Sequence, residues 1–427
     1  MTVSLPTRVL ILGGGFGGLY AAFELEKRLA RDPGVEITLV NRENFFLFTP
    51  MLHEVAASDL DITHIVSPLR VLLRSVRFFD GEVESIDLAN KHVTVAHGTG
   101  HHVHDLPYDY LLIALGSVTN FRMLPGGEDA LTMKSLGDAI RLRNRLIELL
   151  EAADFDCFPE AREPLLTVVV AGGGFAGVET IASVNDFLAD ALKFYPNLTR
   201  EMIRIVLLHA GPWLLPELGE ALGVYARRKL AARSVEIHTD AKVTSYRDSV
   251  VALDDGTTIR TNTFVWTAGI SPSPLLEGLS CARNGGRILV DEFLEVPGFP
   301  GVWAVGDSAA VPDLPGGAFS PPTAQHALRQ GRVAGKNIAA AVRGGRKREF
   351  RYRTIGALAS IGRRTGVARV FGMNFSGFIA WWMWRTVYLA KLPRFEKKLR
   401  VALDWTLDLV FAKDLVQFET RKETRSR

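Results

Sequence analysis

An α/β fold made of two open parallel sheets, with an amphipathic region appended at the C-terminus, is what this 427-residue sequence predicts, and three observations carry it. The β-branched run Val9-Leu10-Ile11-Leu12 enters the turn Gly13-Gly14-Gly15-Phe16-Gly17-Gly18. The run Val168-Val169-Val170-Ala171 enters Gly172-Gly173-Gly174-Phe175-Ala176-Gly177, and each turn opens a helix-periodic segment. The third observation is a charge split: residues 343–427 carry 20 Lys and Arg against 7 Asp and Glu, whereas the rest of the chain is acidic. One strand–turn–helix match is weak, but two in the right context, about a domain length apart, predict two Rossmann-like dinucleotide sites. In each, the first glycine makes the bend, the second lets backbone N–H groups approach a pyrophosphate, and the third lets helix and strand close up.

The elements follow in order. After the first turn, Leu19–Leu29 reads as a helix and Val35–Val40 as the second strand of a βαβ unit, with Asn41 where a ribose-binding acid is usual and Glu43 nearby. Phe45–Pro50 leads into a helix near Met51, residues 80–110 alternate as short strands, and 110–116 is an apolar strand. The spacing of Leu136, Ile140, Leu142, Leu146, Leu149 and Leu150 predicts a helix over 135–153. The second half repeats the first: strand 166–171, helix 177–192, strand 203–208, with His209 at the position equivalent to Asn41. A hairpin turn at 253–257, a strand over 263–269, a strand ending in Gly306-Asp307 and a helix over 323–342 complete the body.

Composition narrows the class. Hydrophobic residues at 47% and charged residues at 23% are ordinary for a folded chain of this length, which can bury two or three cores. Cys157 and Cys281 stand alone, so no disulfide framework, zinc spacing or C-x-x-C pair is expected, and no metal site. Met1–Thr7 lacks the charged and apolar regions of a secretory signal, which places the first domain on the side where it is made. The longest charge-free stretch of the tail, Val370–Trp384, falls short of the roughly 20 residues a spanning helix needs, so no transmembrane segment is expected.

Together these features resemble the two-dinucleotide-binding-domain flavoproteins, and within them the type II NADH dehydrogenases, single-chain NADH:quinone oxidoreductases. The resemblance implies FAD on the first turn, through Gly13, Gly15, Phe16, Gly18, Asn41, Arg42 and Thr49, with Gly306-Asp307 as the second FAD motif and Ala324 beside it. It implies NADH, or NADPH, on the second turn, through Gly172, Gly174, Phe175, Gly177, Glu179, His209 and Gly269. Residues 324–331 match the family's quinone motif A-Q-x-A-x-Q-Q-G, which implies catalytic roles for Gln325, Arg329 and Gln330 alongside Glu179. Arg329 departs from the motif's penultimate glutamine and adds a permanent charge, which would favour a quinone anion or pair with a carboxylate. His209 departs from the acid of an NADH-specific site, so nothing there repels a 2′-phosphate. Glu179 reads either as a functional acid or as a surface carboxylate at a helix start. His53 and His326 read as satisfied or solvated histidines, with a proton-carrier role as the alternative.

The implied domains are FAD-binding over 1–125 and 290–342, NAD(P)H-binding over 126–289 inserted within it, and membrane association or dimerisation over 343–427. In that tail Trp381, Trp382, Trp384 and Trp405 are expected as interfacial anchors, with helices over 375–389 and 395–416, while the same stripe could instead pack on the body or on a second copy. Leu399, Leu403, Leu407, Val410 and Phe411 share one helical face, flanked by Lys391, Arg394, Lys397, Lys398 and Arg400. The partners implied are a quinone, an anionic membrane surface on its cytoplasmic side (the matrix side in an organelle) and a second copy of the chain, but no nucleic acid. Two rival readings share the fold: a sulfide:quinone-type or other biosynthetic reductase, and a non-catalytic flavin-binding scaffold. Sulfide chemistry needs cysteines on the flavin's substrate face, where neither Cys157 nor Cys281 is expected.

Overall fold

The computed structural model, which describes residues 6–155, 158–313 and 318–418, places the strand Thr7–Leu12 at the centre of a five-stranded parallel sheet. The order is Val302–Ala304, Tyr110–Ile113, Thr7–Leu12, Val35–Asn41, Arg77–Asp80. Val9, Leu10, Ile11 and Leu12 are buried, as an apolar run covered on both faces of a parallel sheet must be. Both neighbours of the central strand arrive by crossovers, so the first glycine turn sits at its carboxyl end, where strand order reverses and doubly wound sheets bind ligands. This sheet belongs to one of two compact units, formed by Met1–Leu47, Val66–Val118 and Ile270–Arg353.

Glycine also sets the helix packing of this unit. The helix Phe16–Leu29 lies against the helix Ala324–Val342 with backbones in near contact. A Cβ on Gly331 would meet the Gly17 carbonyl oxygen at 2.1 Å, and one on Gly335 would meet that of Ala21 at 2.7 Å. The last residue of the A-Q-x-A-x-Q-Q-G match is thus required by helix packing.

The second unit comprises Phe48–Ile65, Thr119–Gly269 and Thr354–Arg427. Its parallel sheet runs Val235–His238, Arg204–Leu208, Thr167–Ala171, Thr263–Trp266, again with the strand that enters the glycine turn in an interior position. A separate core of Leu124, Val169, Val206, Phe264 and Trp266 joins this sheet to the antiparallel strands Val243–Arg247, Val250–Leu253 and Thr258–Arg260. The C-terminal region adds three antiparallel strands, Gly356–Ser360, Gly366–Val370 and Met373–Gly377, and the helices Phe378–Lys391 and Phe395–Leu407.

Several boundaries shift from expectation. The helices after the two turns begin at Phe16 and Phe175, inside the glycine turns. The segment expected as helix from 375 is strand through Gly377, whose φ of +72° ends the pairing and admits the helix only at Phe378. The last helix stops at Leu407, because buried Lys413 draws the following chain onto residues 57–59: its ammonium donates to the Ala57 carbonyl at 3.1 Å and pairs with Asp59. Val410 and Phe411 therefore do not continue the helical face. Among the described residues no helix is long and apolar enough to cross a membrane and no group of three or more His, Cys, Asp or Glu is set to hold a metal. Cys281 is a buried free thiol, and Cys157 lies outside the described residues.

Gly331→Val forces the two helices of the first unit apart, and we expect a loss of about 1–3 kcal/mol, measured as a lowered denaturation midpoint. An unchanged midpoint contradicts the close packing.

Candidate functional site

The two glycine turns are built alike, atom by atom. Gly13 has φ +101° and donates its N–H to Val40 O at 2.8 Å; Gly172 has φ +118° and donates to Leu208 O at 2.8 Å. A Cβ on Gly18 would lie 1.9 Å from the Gly13 carbonyl oxygen, and one on Gly177 would lie 1.8 Å from that of Gly172. Gly15 and Gly174, by contrast, have no atom within 4 Å of where their Cβ would stand. Those open places lie at the starts of two helices whose caps make no side-chain hydrogen bond and whose first turns hold no acid, the kind of helix start that suits an anion.

The residues at the ends of the second strands share one task. Asn41 Oδ1 accepts the Gly14 N–H at 2.7 Å, while its Nδ2 donates to the Glu43 carbonyl at 2.7 Å. His209 Nδ1 accepts the Gly173 N–H at 3.1 Å. Burial holds the His209 pKa below its usual value, and an Nδ1 that accepts leaves the proton on Nε2. Both side chains brace the turns behind which they sit, a role that their position at the strand ends did not reveal.

Near the first turn, Ser117 donates to the Asp307 carboxylate at 2.5 Å and Gly116 N–H to Ser308 Oγ at 2.9 Å. Gln330 is 2% exposed, and its Oε1 accepts the Gly306 N–H at 2.8 Å, so its amide shapes the Gly306-Asp307 turn. Arg329 does not pair with a carboxylate: among the described residues none lies within 4 Å of it, and its guanidinium donates to the Gln325 carbonyl at 2.7 Å while lying 4.1 Å over the Tyr352 ring. Ala324 is the first residue of its helix, and His326, buried, shares a 2.7 Å hydrogen bond with Thr323 Oγ1. Phe16 stands edge-on to Phe46, and Arg42 is exposed beside Glu43.

In the second unit Glu179 is buried, which removes its reading as a surface carboxylate. Its Oε1 accepts from the Ser360 N–H at 3.1 Å and from Trp384 Nε1–H at 2.9 Å, and its Oε2 lies 3.9 Å from His53 Nδ1. Burial pushes the Glu179 pKa up to about 8, against those two donors. Burial likewise lowers His53 to about 3, so this imidazole is neutral, and its buried Nε2 meets no partner among the described residues. The adjacent Glu54 is also buried and raised to about 8; it accepts from Trp405 Nε1–H at 3.1 Å with the Arg385 charge nearby. Phe175 is half-buried, Thr49 is exposed at the start of a short 3₁₀ turn, and Gly269 has φ +81°.

Trp384 and Trp405 are thus not interfacial anchors as expected. They are buried, and each spends its indole N–H on a buried carboxyl. Sequence reasoning named Trp384 and Trp405 in another role and missed Ser360, Tyr352 and the environment of His53. The one available signal was the His53-Glu54 pair inside an apolar helix.

Comparison with known proteins places these features. Residues 7–331 match the model of the pyridine nucleotide-disulphide oxidoreductases, and residues 355–414 match the NDH2 C-terminal domain. The chain is 36% identical over 417 residues to the type II NADH:quinone oxidoreductase Ndh of Mycobacterium tuberculosis, a match covering 94% of this chain and 87% of that one. It is 32% identical over 413 residues to the demethylphylloquinone reductase NdbB of Synechocystis, covering 95% and 96%. The fold matches that of NDH2 from Plasmodium falciparum, solved with NADH, at a TM-score of 0.88 over 96% of this chain and 99% of that one, with 19% identity.

Glu179 and Glu54 bind protons more tightly folded than unfolded, where a glutamate titrates near 4.5. Their contribution is therefore complete below about pH 4.5 and is lost as pH rises through 8. We expect the melting temperature to fall between pH 5 and 9, and Glu179→Gln to flatten that slope; an equally steep slope in the variant contradicts the assignment.

Proposed function

Because the chain belongs to the type II NADH:quinone oxidoreductases, within the pyridine nucleotide-disulphide oxidoreductase family, we propose that it holds FAD, oxidises NADH and passes two electrons to a membrane quinone without pumping protons. The observation that carries this reading is the duplicated turn: two sheets, each ending in an open glycine and a helix start free of side-chain caps, suit two anionic dinucleotides.

The first turn fits FAD. Gly13, Gly15 and Gly18 with the bracing Asn41 take the pyrophosphate, and Asp307, in the turn that Gln330 holds, takes ribityl hydroxyls. Phe16, Arg42, Thr49 and Ala324 are assigned to the same cofactor. The bound flavin supplies the two-electron relay between nicotinamide and quinone. Gly172, Gly174, Phe175, Gly177 and Gly269 are assigned to NADH, with His209 facing the adenosine ribose. A neutral imidazole there neither repels nor pairs with a 2′-phosphate, so the NADH preference is expected to be modest. Burial keeps Glu179 protonated near neutral pH, beside a neutral His53, which suits it to nicotinamide positioning or proton delivery. Gln325 offers its carboxamide to the quinone.

The tail is assigned to a membrane surface. Leu399, Leu403 and Leu407 are exposed along one face of the last helix, as are Phe378, Ile379 and Trp382 on the preceding one, with Lys391, Arg394, Lys398 and Arg400 beside them. Exposed leucines at helical spacing next to cations suit the cytoplasmic face of an anionic bilayer, and a second copy of the chain is the competing occupant.

In stopped flow, NADH is expected to bleach the flavin of the purified protein and a soluble quinone to restore it; a flavin that stays oxidised under NADH defeats the reading. Leu399→Asp with Leu403→Asp is expected to lower sedimentation with anionic vesicles at least tenfold while leaving bleaching intact. Unchanged sedimentation, or a dimer that dissociates instead, moves the face to the competing occupant.

A further inference from the structure

We propose that Tyr352 is a positioning residue for quinone reduction: its hydroxyl holds the oxygen end of the Gln325 carboxamide, so that Gln325 presents its N–H donors, and Arg329 strengthens that hold through the Tyr352 ring. The proposal rests on the reading of Gln325 as a quinone contact.

Tyr352 lies outside regular structure, yet its backbone is tied down. Asn337, fully buried in the helix Ala324–Val342, donates from Nδ2 to the Arg348 carbonyl at 2.8 Å and accepts the Arg348 N–H on Oδ1 at 2.8 Å. The Phe350 N–H donates to the Glu292 carbonyl at 2.7 Å, and the Phe350 ring is buried. Two residues later the Tyr352 hydroxyl reaches Gln325 Oε1 at 3.2 Å. His326 stands edge-on to the same ring at 5.1 Å, and Arg329 covers one of its faces at 4.1 Å. Arg329 is itself held by the Gln325 carbonyl one turn back along the helix.

A carboxamide has unlike ends, and a quinone carbonyl only accepts hydrogen bonds. Gln325 can therefore serve a quinone only through its NH₂ group. A phenol hydroxyl can donate or accept, so it does not by itself choose the amide's orientation. A cation over the ring face draws electron density from the phenol, which makes the hydroxyl a better donor and a poorer acceptor. Donation to Oε1 then leaves both amide hydrogens for the substrate. On this account the residue that departs from the quinone motif, Arg329, acts on the substrate through Tyr352, without touching it.

The test uses the full-length flavin-loaded enzyme and a soluble ubiquinone analogue. Tyr352→Phe keeps the ring and removes the donor; the quinone KM is expected to rise about three- to tenfold, while NADH-driven flavin bleaching and turnover with ferricyanide stay unchanged. Gln325→Ala is expected to raise the quinone KM at least as much, and Tyr352→Phe to add nothing in that background. Arg329→Met is expected to give a smaller rise and likewise add nothing to Tyr352→Phe. If Gln325→Ala raises the KM but Tyr352→Phe does not, the positioning role is overturned while the quinone contact stands. If Gln325→Ala leaves the KM unchanged, the contact fails and the proposal with it. A Tyr352→Phe enzyme that loses flavin, bleaches slowly or is impaired equally with ferricyanide reveals a merely structural role, and an Arg329→Met effect that adds to Tyr352→Phe removes Arg329 from the account.

Discussion

The third glycine of each turn governs both nucleotide sites. With a Cβ at Gly18 or Gly177 placed under 2 Å from the carbonyl oxygen of the first glycine, helix and strand can meet only through hydrogen atoms. That approach starts each helix inside the turn, with its first intrahelical bonds running from Leu19 to Gly15 and from Val178 to Gly174. Gly15 and Gly174, where those helices start, have open space on the side a Cβ would occupy. Close packing likewise puts Gly17 against Gly331, so the first glycine turn and the end of the A-Q-x-A-x-Q-Q-G match are joined through backbone contact.

A second dependence runs through the tail. Within the second unit, Ser360, Trp384 and Trp405 donate to two carboxyls buried on neighbouring helices, and Lys413 donates to the Ala57 carbonyl beside them. An ionised carboxylate there would face a large desolvation cost, partly offset by indole and backbone donors and by the Arg385 charge. The compromise is a pair of acids that titrate near 8, in the range where proton transfer at neutral pH is efficient. The C-terminal region therefore supplies the environment of Glu179 from its buried side while its leucines remain on the outer side. Arg385, stacked between Trp381 and Trp405, serves both the packing and the charge balance.

Legibility in the sequence followed the range of the interactions. The two turns, the strands that enter them and the helix over 324–342 were readable because a βαβ unit with a glycine turn is specified within about 35 residues. The apolar periodicity of 136–150 marked a helix for the same reason. The tail stayed ambiguous where local pattern and tertiary use diverge: tryptophan beside basic residues looks the same whether the ring meets lipid or a buried glutamate over 200 positions away. Asn41 and His209 were noticed as departures, but their hydrogen bonds to Gly14 and Gly173 depend on how the second strand lies beside the turn.

The sequence by itself determined that this chain builds two dinucleotide-binding sheets and where their turns lie, because glycine's missing Cβ and a covered apolar strand are properties of short segments. It also determined that the tail is basic and amphipathic. Only the tertiary structure decided that Glu179 is buried with Trp384 and His53 beside it, that Gln330 serves the Gly306-Asp307 turn, and that Arg329 lies over the Tyr352 ring. Those outcomes arise from desolvation and hydrogen-bond satisfaction among residues far apart in the chain, which exist only once the chain has closed around them.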